Sequence, residues 1–525
     1  MIERRGRDAG LLAARCSDFK RREREVADLN TVQSTSSIPT GEREWPHQAF
    51  IGGSFVDAAS GAVYPCVSPV TGEVLCQVAA CDGEDVDRAV AAARRAFASG
   101  VWSDVSPHDR RAVLLRLAGL IEADTSELAY LMTMDMGKPI RDSLEEGPDA
   151  AATLRYYAEA IDKLYGEIGP TDPSALTLIT REPLGVVGVV VPWNYPLDVP
   201  MWKLAPALAT GNSVVVKPAE QSPLCLLRLA ALAAEAGLPN GVLNVLPGSG
   251  PEAGKPLGLH MDVDKIAFTG STEVGKLFLT YAGASNMKGV QLECGGKSPS
   301  IILADVSDLP TAVEQTADGI FINAGQMCNA SSRLLVHESM HDQALELLEA
   351  QATKWQPGDP LDPETRLGAM VDEDQMNRVL AYVQVGTDEG AILHAGGRRA
   401  RQESGGFYIE PTIFTQVDNG MRIAREEIFG PFLSVIGFSD ESEALRIAND
   451  TVYGLSAAVW TRELNTAHRF ARALRAGTVY VNCYDRGDLS LPFGGYKQTG
   501  GGRDLSVHAL DNYTQVKMTY IDLAG

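Results

Sequence analysis

Basic residues are in short supply in this chain: 46 lysines and arginines face 68 aspartates and glutamates, for a formal net charge of -22. A surface of that sign repels phosphate backbones, so nucleic acid is excluded as a partner and anionic membranes are disfavoured. Long apolar runs are missing as well. No stretch of 18 apolar residues occurs, which argues against a transmembrane helix, and the first residues show no apolar core of a secretory signal. The eight cysteines form no CxxC pair and keep no regular spacing. That distribution argues against a zinc ribbon or a disulfide scaffold and points to a reducing, cytoplasmic setting. His337 and His341 stand four apart but no third ligand accompanies them, so we expect no metal.

At 525 residues, 45% of them hydrophobic and 22% charged, the chain suits a soluble protein of two or three packed units. Residues 1–45 mix charge signs and include the run Ser34-Thr-Ser-Ser-Ile-Pro-Thr-Gly41, which reads as a poorly ordered extension. An organellar transit peptide is the weaker reading, because Glu3, Asp8, Asp18, Glu23 and Glu25 are unusual in one. Residues 48–56 suggest a hairpin, and helical periodicity covers 84–101, 106–136 and 144–165. From 185 onward, short apolar strands (185–191, 213–217, 241–246, 265–269) alternate with helices, the pattern of a parallel α/β sheet. Pro192-Trp193-Asn194, Lys217-Pro-Ala-Glu220 and Thr269-Gly-Ser-Thr272 fall at the C-terminal ends of these strands, where such sheets bind nucleotides. A second α/β pattern covers 297–495, with strands near 299–303, 333–337, 432–438 and 478–482. The tail 511–521 alternates like an edge strand and, with 170–183, predicts an exposed arm that invites pairing between subunits.

Chemistry concentrates in two segments, Leu292-Glu-Cys-Gly-Gly-Lys-Ser-Pro299 and Ile322-Asn-Ala-Gly-Gln-Met-Cys328-Asn-Ala-Ser-Ser-Arg333. A cysteine is a strong nucleophile once deprotonated, and a carboxylate can activate the water that releases a covalent adduct. Cys328 and Glu293 therefore suggest an enzyme that forms a thioester and hydrolyses it. A thiol esterase without redox chemistry, or an inactive binding scaffold, stand as alternatives.

Eight motifs in order carry a resemblance: Pro192-Trp-Asn-Tyr-Pro196, Trp202-Lys-Leu-Ala-Pro206, Lys217-Pro-Ala-Glu220, Phe268-Thr-Gly-Ser-Thr272, Leu292-Glu-Cys-Gly-Gly-Lys297, Gly325-Gln-Met-Cys328, Glu426-Glu-Ile-Phe-Gly-Pro431 and Pro492-Phe-Gly-Gly-Tyr-Lys497. From about residue 46 onward the chain resembles the NAD(P)-dependent aldehyde dehydrogenases. The resemblance implies an α/β fold with a Rossmann-like parallel-sheet NAD-binding domain (46–165 and 184–295). A second α/β catalytic domain (296–495) and a β oligomerisation arm (166–183 with 496–525) complete it, in a homodimer or homotetramer. It implies that Cys328 attacks the aldehyde, that the Asn194 amide and the Cys328 backbone N–H hold the oxyanion, and that Glu293 activates water. Lys203 and Asp504 would relay the proton, although Asp504 stands where many relatives carry the longer Glu. The cofactor would meet Pro192, Trp193, Lys217, Glu220, Gly270, Ser271, Gly295, Glu427 and Phe429. A strict GxGxxG fingerprint is absent, as the family leads one to expect. Glu220 accepts hydrogen bonds from free ribose hydroxyls and repels a 2′-phosphate, so NAD is expected ahead of NADP.

The family's substrate tunnel would draw on Tyr195, Asp198, Trp202, Ile322, Asp485, Asp488 and Phe493. Tyr195, Trp202 and Phe493 make an apolar sleeve for a short chain, while the aspartates call for a cationic partner. With Asn482-Cys-Tyr-Asp-Arg-Gly-Asp488 and Gly500-Gly-Gly-Arg-Asp504, the chain is similar to the subgroup oxidising γ-aminobutyraldehyde derivatives and 4-guanidinobutyraldehyde in polyamine and arginine breakdown. An aldehyde dehydrogenase of broad or neutral aliphatic range is the competing expectation.

Overall fold

A computed structural model describes residues 43–524, and residues 45–524 belong to one compact unit. The reading of residues 1–45 as an extension falls almost wholly outside the described residues. Two seven-stranded sheets organise the unit. In the first, strands Gly289–Glu293, Lys265–Thr269, Val186–Val190, Ser213–Lys217 and Leu243–Val245 run parallel in that order. The hairpin Ala49–Ile51/Ser54–Val56 extends it antiparallel. Val186–Val190 and Ser213–Lys217 are buried at every position, because helices cover both faces of the sheet. This is why these segments read as continuous valine runs with no alternation.

The second sheet has the order Ile392–Ala395, Thr412–Thr415, Phe432–Phe438, Arg333–His337, Pro299–Ile302, Ser456–Trp460, Thr478–Val481. Only its first strand is antiparallel to its neighbour. A separate three-stranded sheet pairs Thr514–Asp522 with Ala175–Pro183 along nine residues, and Glu167–Gly169 lies on the other side. The tail is exposed along nearly its whole length, not on alternate residues.

Helix boundaries depart from the periodicity at two places. The stretch expected as one helix over 106–136 is two, Pro107–Ala123 and Thr125–Met136, because the chain leaves helical geometry at Asp124. The next helix, Ile140–Ala160, starts earlier than expected, just after Pro139, and stops before 165. Its buried face carries Glu146 among Ile140, Ser143, Gly147 and Ala150. That buried carboxylate reaches the candidate site.

Candidate active site

A cavity of about 620 Å³ opens at the C-terminal ends of the first sheet's strands and is closed by loops of the second half. Its wall brings together Cys328, Asn194 and Glu293 with Pro192, Trp193, Gly270, Ser271, Gly295, Glu427 and Phe429, residues spread over more than 200 positions of sequence.

Cys328 follows the helix Leu309–Phe321 through a reversal in which Asn323 and Ala324 take left-handed φ values of 51° and 53°. The turn is held by side-chain amides. Asn194 Nδ2 donates to the Gln326 carbonyl at 2.8 Å, Asn323 Nδ2 donates to the Asn194 carbonyl at 2.9 Å, and Gln326 Nε2 donates to the Asn323 carbonyl at 3.0 Å. Asn194 thus spends one amide N–H on the cysteine loop and has a second to offer. Burial, then the acids Glu293, Glu427 and Asp485, push the Cys328 thiol above its usual range; the Asn329 backbone N–H pulls the other way.

Glu293 ends the strand Gly289–Glu293. Both its carboxylate oxygens are buried without a hydrogen-bond partner among the described residues. Burial first, and the neighbouring Asp504 second, hold its carboxyl well above the ordinary range, while Lys203 and Arg503 oppose this. Gly494, at φ +149°, leaves the space this side chain fills: a Cβ there would lie 2.6 Å from Glu293 Oε1. Lys203 and Asp504 are fully buried and paired at 2.7 Å, and Gln291 Nε2 donates to the other Asp504 oxygen at 2.7 Å. The shorter Asp504 side chain therefore does meet Lys203, behind the cavity wall.

A second part of the wall suits a dinucleotide. Ser271 caps the helix Thr272–Gly283, whose N-terminal N–H groups start beside Gly270. Gly296 N–H donates to Glu427 Oε1 at 3.0 Å, and the backbone at Gly295 runs so close that a Cβ would meet Glu427 Oε2 at 2.0 Å. Burial raises the Glu427 carboxyl to about 7. Phe429 packs edge-on against Trp193 at 5.2 Å. Lys217 and Glu220 do not line this cavity; they end the neighbouring strand, where Lys217 Nζ donates to the Pro218 carbonyl at 2.8 Å and to Glu220 at 3.3 Å. Gly254, in a segment that sequence reasoning passed over, lies against the Lys217 side chain.

Tyr195, Asp198, Trp202, Asp485, Asp488 and Phe493 all line the same cavity. Trp202 stacks edge-on with Phe493 at 5.0 Å and donates its indole N–H to Asp198 at 3.1 Å. Burial, then Glu146 and Asp149, raise the Asp198 carboxyl to about 8. Asp485 accepts a hydrogen bond from Asn329 at 2.8 Å and is also raised by burial. Asp488 is exposed, bonded to Ser490 and held below the usual carboxylate range. Ile322 is a correction. It is 36% exposed and outside the lining, because the helix ends at Phe321 and the chain reverses through Asn323 and Ala324.

Four residues absent from the sequence reading shape this region. Asp149 adds a fourth aspartate to the lining, and Arg378 donates to the Glu427 carbonyl at 3.0 Å. Glu146 accepts the N–H groups of Leu197 and Asp198 at 3.2 and 3.1 Å, capping the helix Asp198–Ala209. It also pairs with buried Lys138, whose ammonium lies 3.6 Å from the Tyr195 ring centre. An acid on the apolar stripe of helix Ile140–Ala160 was the available signal. Among the described residues, no group of three or more His, Cys, Asp or Glu side chains could hold a metal, and no helix is long and apolar enough to cross a membrane.

Comparison with known proteins agrees with this geometry. The aldehyde dehydrogenase family model matches residues 55–519. The chain is 52% identical over 478 residues to the NADP/NAD-dependent aldehyde dehydrogenase PuuC of Escherichia coli, covering 91% of this chain and 96% of that one. It is 51% identical over 480 residues to an aminoacetaldehyde dehydrogenase of Pseudomonas aeruginosa, with coverage of 91% and 96%. Among solved structures, a gamma-glutamyl-gamma-aminobutyraldehyde dehydrogenase from Burkholderia cenocepacia superposes with a TM-score of 0.90 at 55% identity, covering 92% of this chain and 97% of that one. The chain belongs to the aldehyde dehydrogenase family.

Proposed function

We propose that this enzyme oxidises cationic C4 aldehydes, such as 4-guanidinobutyraldehyde and γ-aminobutyraldehyde derivatives, to the free carboxylic acids, with NAD preferred over NADP. One observation carries the reading: the cavity that holds Cys328, Asn194 and Glu293 is also lined by Asp149, Asp198, Asp485 and Asp488. Of the two lining cations, Arg378 donates to the Glu427 carbonyl and Arg486 makes no salt bridge among the described residues. Similarity to an aminoacetaldehyde dehydrogenase and to a gamma-glutamyl-gamma-aminobutyraldehyde dehydrogenase supports an aldehyde that carries nitrogen.

In this reading the Cys328 thiol loses its proton to solvent and its sulfur bonds to the aldehyde carbon, opening the C=O double bond to an oxyanion that Asn194 and the Cys328 backbone N–H hold. Gly270, Ser271, Gly295, Glu427 and Phe429 would hold NAD, with Lys217 and Glu220 on the adenosine ribose; when bound it would supply the acceptor for the hydride that the adduct on Cys328 loses in becoming a thioester. Glu293 then takes a proton from water, whose oxygen displaces the sulfur. A water-activating carboxylate directs the acyl group to water and favours a free acid. Lys203 and Asp504 would carry the proton onward. We place the enzyme in the cytoplasm as a homodimer or homotetramer, joined through the three-stranded sheet. Its outer strand leaves Val516, Met518, Tyr520 and Ile521 exposed.

An ion pair with Asp198 contributes ~1.5–3 kcal/mol, or roughly tenfold to a hundredfold in preference. Above pH 8, where Asp198 is ionised, we therefore expect kcat/KM for 4-guanidinobutanal to exceed that for a neutral aldehyde of equal length by that factor, and Asp198→Asn to remove most of it. Equal values in the unsubstituted enzyme would refute the cationic preference and favour a broad aliphatic range. The preference carries a pH signature. Asp198, raised to about 8, is mostly protonated at pH 7, whereas a guanidinium stays charged. The advantage of the guanidino substrate should thus grow as pH rises through 8, and a flat ratio from pH 7 to 9 would exclude Asp198 as the partner. For the cofactor, Glu220→Gln removes one like-charge repulsion, about 1.4 kcal/mol or tenfold. The ratio of NADP to NAD turnover at subsaturating cofactor should rise by that amount; no change would place the discrimination elsewhere.

A further inference from the structure

The hairpin Val63–Val67/Val74–Ala79 carries two cysteines for which the proposed chemistry has no use. Its antiparallel register sets Cys66 directly opposite Cys76. Directly opposed residues in such a ladder have Cα atoms about 4.5–5.5 Å apart and side chains on the same face. That separation falls inside the roughly 4.4–6.8 Å a disulfide requires. Opposed in register, the two side chains leave the hairpin on the same face.

The two sulfurs differ in access. Cys66 is 1% exposed and packs into the core beside Val78, whereas Cys76 is only half-buried. The neighbouring Cys66 lowers the Cys76 thiol from its ordinary range, the condition for an attacking sulfur, while the Cys66 thiol is raised and stays protonated. The hairpin is also bolted to the second half of the molecule through its turn. Phe407 N–H donates to the Pro69 carbonyl at 3.0 Å, and the buried Tyr408 hydroxyl donates to the Val70 carbonyl at 3.1 Å.

We propose that Cys66 and Cys76 form a reversible thiol–disulfide site whose oxidant is a low-molecular-weight disulfide, RSSR. The Cys76 thiolate attacks one sulfur of RSSR, that S–S bond breaks and RS⁻ leaves, giving a mixed disulfide. Cys66 loses its proton to solvent, and its sulfur attacks the Cys76 sulfur and expels a second RS⁻. Two electrons pass from the protein dithiol to the reagent. The protein gains one disulfide, and the two protons it releases convert both RS⁻ to RSH. The crosslink closes the base of the turn that joins the two halves.

The test uses the full chain carrying Cys328→Ala, so that the candidate nucleophile does not compete for the reagent. The protein is incubated with excess oxidised glutathione, its free thiols are alkylated, and it is digested with trypsin and a glutamate-specific protease. Glu73 lies between the two cysteines, so cleavage after it leaves two fragments joined only by the disulfide. We expect that linked pair, its disappearance on dithiothreitol treatment, and loss of both the Cys66 and the Cys76 thiols to alkylation. Cys76→Ser must remove the link, a necessary control because Cys81 shares the Cys76 fragment. Cys66→Ser should leave glutathione trapped on Cys76. Full alkylation of both residues under conditions that glutathionylate half-buried Cys483, or a persistent Cys76 adduct beside a free Cys66, would overturn the proposal. Aldehyde oxidation by Cys66→Ser and Cys76→Ser in chains that retain Cys328 shows that the variants fold.

Discussion

Cys328→Ala is expected to lower kcat for NAD-dependent aldehyde oxidation on the order of 10⁶-fold, the scale seen when an enzyme loses its covalent nucleophile. NAD affinity, read by calorimetric titration, should stay within about twofold. The split follows from placement. Cys328 lines the cavity beside Asn194 and Glu293, whereas the groups suited to the dinucleotide, from Ser271 to Glu427, lie on other segments that alanine does not disturb. A second cysteine, Cys294, also lines the cavity and is the natural rival. Its sulfur faces the helix Thr272–Gly283, close enough to Gly275 that a Cβ there would lie 2.7 Å from Sγ. Burial raises its thiol to about 12, with Glu293 the next contributor. Cys294→Ser should therefore keep turnover within an order of magnitude. Loss of activity in Cys294→Ser together with survival in Cys328→Ala would reverse the assignment. The Cys328 thiol itself should respond to pH. Its position above the ordinary thiol range means that thiolate is still increasing at pH 9 in the cofactor-free enzyme, so iodoacetamide should alkylate it ever faster across that range without a plateau.

How much of this was legible beforehand depended on whether the signal was local. Valine runs at 186–190 and 213–217 announce buried parallel strands, because full burial on both faces leaves no room for alternation. The strand ends that follow then place Asn194, Lys217 and Gly270 on the ligand side of the sheet, so this half of the site could be read from short windows. Cys328 and Glu293 were visible through their motifs. Ile322 was misread because a reversal through two left-handed residues separates it from Cys328, and Ala324, unlike Asn323 and Gly325, is a residue type that gives no sign of such a turn. The Glu146–Lys138 pair was invisible for a different reason. Its effect on the site is a capping contact across 51 residues to Leu197, and only tertiary packing brings those positions together. Asp149 joins the lining from the same helix, again by packing. The acidic lining that supports the substrate proposal was thus three-quarters readable: Asp198, Asp485 and Asp488 from segments already tied to the site, Asp149 not at all.

Glu293→Gln should separate the two halves of the reaction. With NAD and aldehyde in excess, we expect a burst of about one NADH per active site, followed by a steady rate lower by ~10²–10⁴-fold, the usual contribution of a positioned general base. The structural reason lies in the isolation of this carboxylate. Both oxygens are buried and neither has a hydrogen-bond partner among the described residues, so no protein donor steadies the charged form. Burial and Asp504 raise the carboxyl, which makes its deprotonated form a stronger base than an ordinary glutamate. Glutamine occupies the same space against Gly494 but cannot accept the water proton, so acyl transfer to Cys328 should proceed and release should stall. The sign of the pH dependence follows from the same shift. A raised carboxyl is protonated, and inactive as a base, over a pH range where a solvated glutamate is already ionised; deacylation should therefore rise with pH along a limb displaced upward from about 4.5, the ordinary glutamate value. Asp504→Asn removes the second cause of that shift while keeping the side chain's shape, so it should move the limb down in pH without removing the burst. Rapid-mixing measurements at 340 nm give both quantities. A steady-state rate in Glu293→Gln equal to that of the unsubstituted enzyme would show that another group activates the water, and absence of the burst would show that Glu293 acts before the thioester forms.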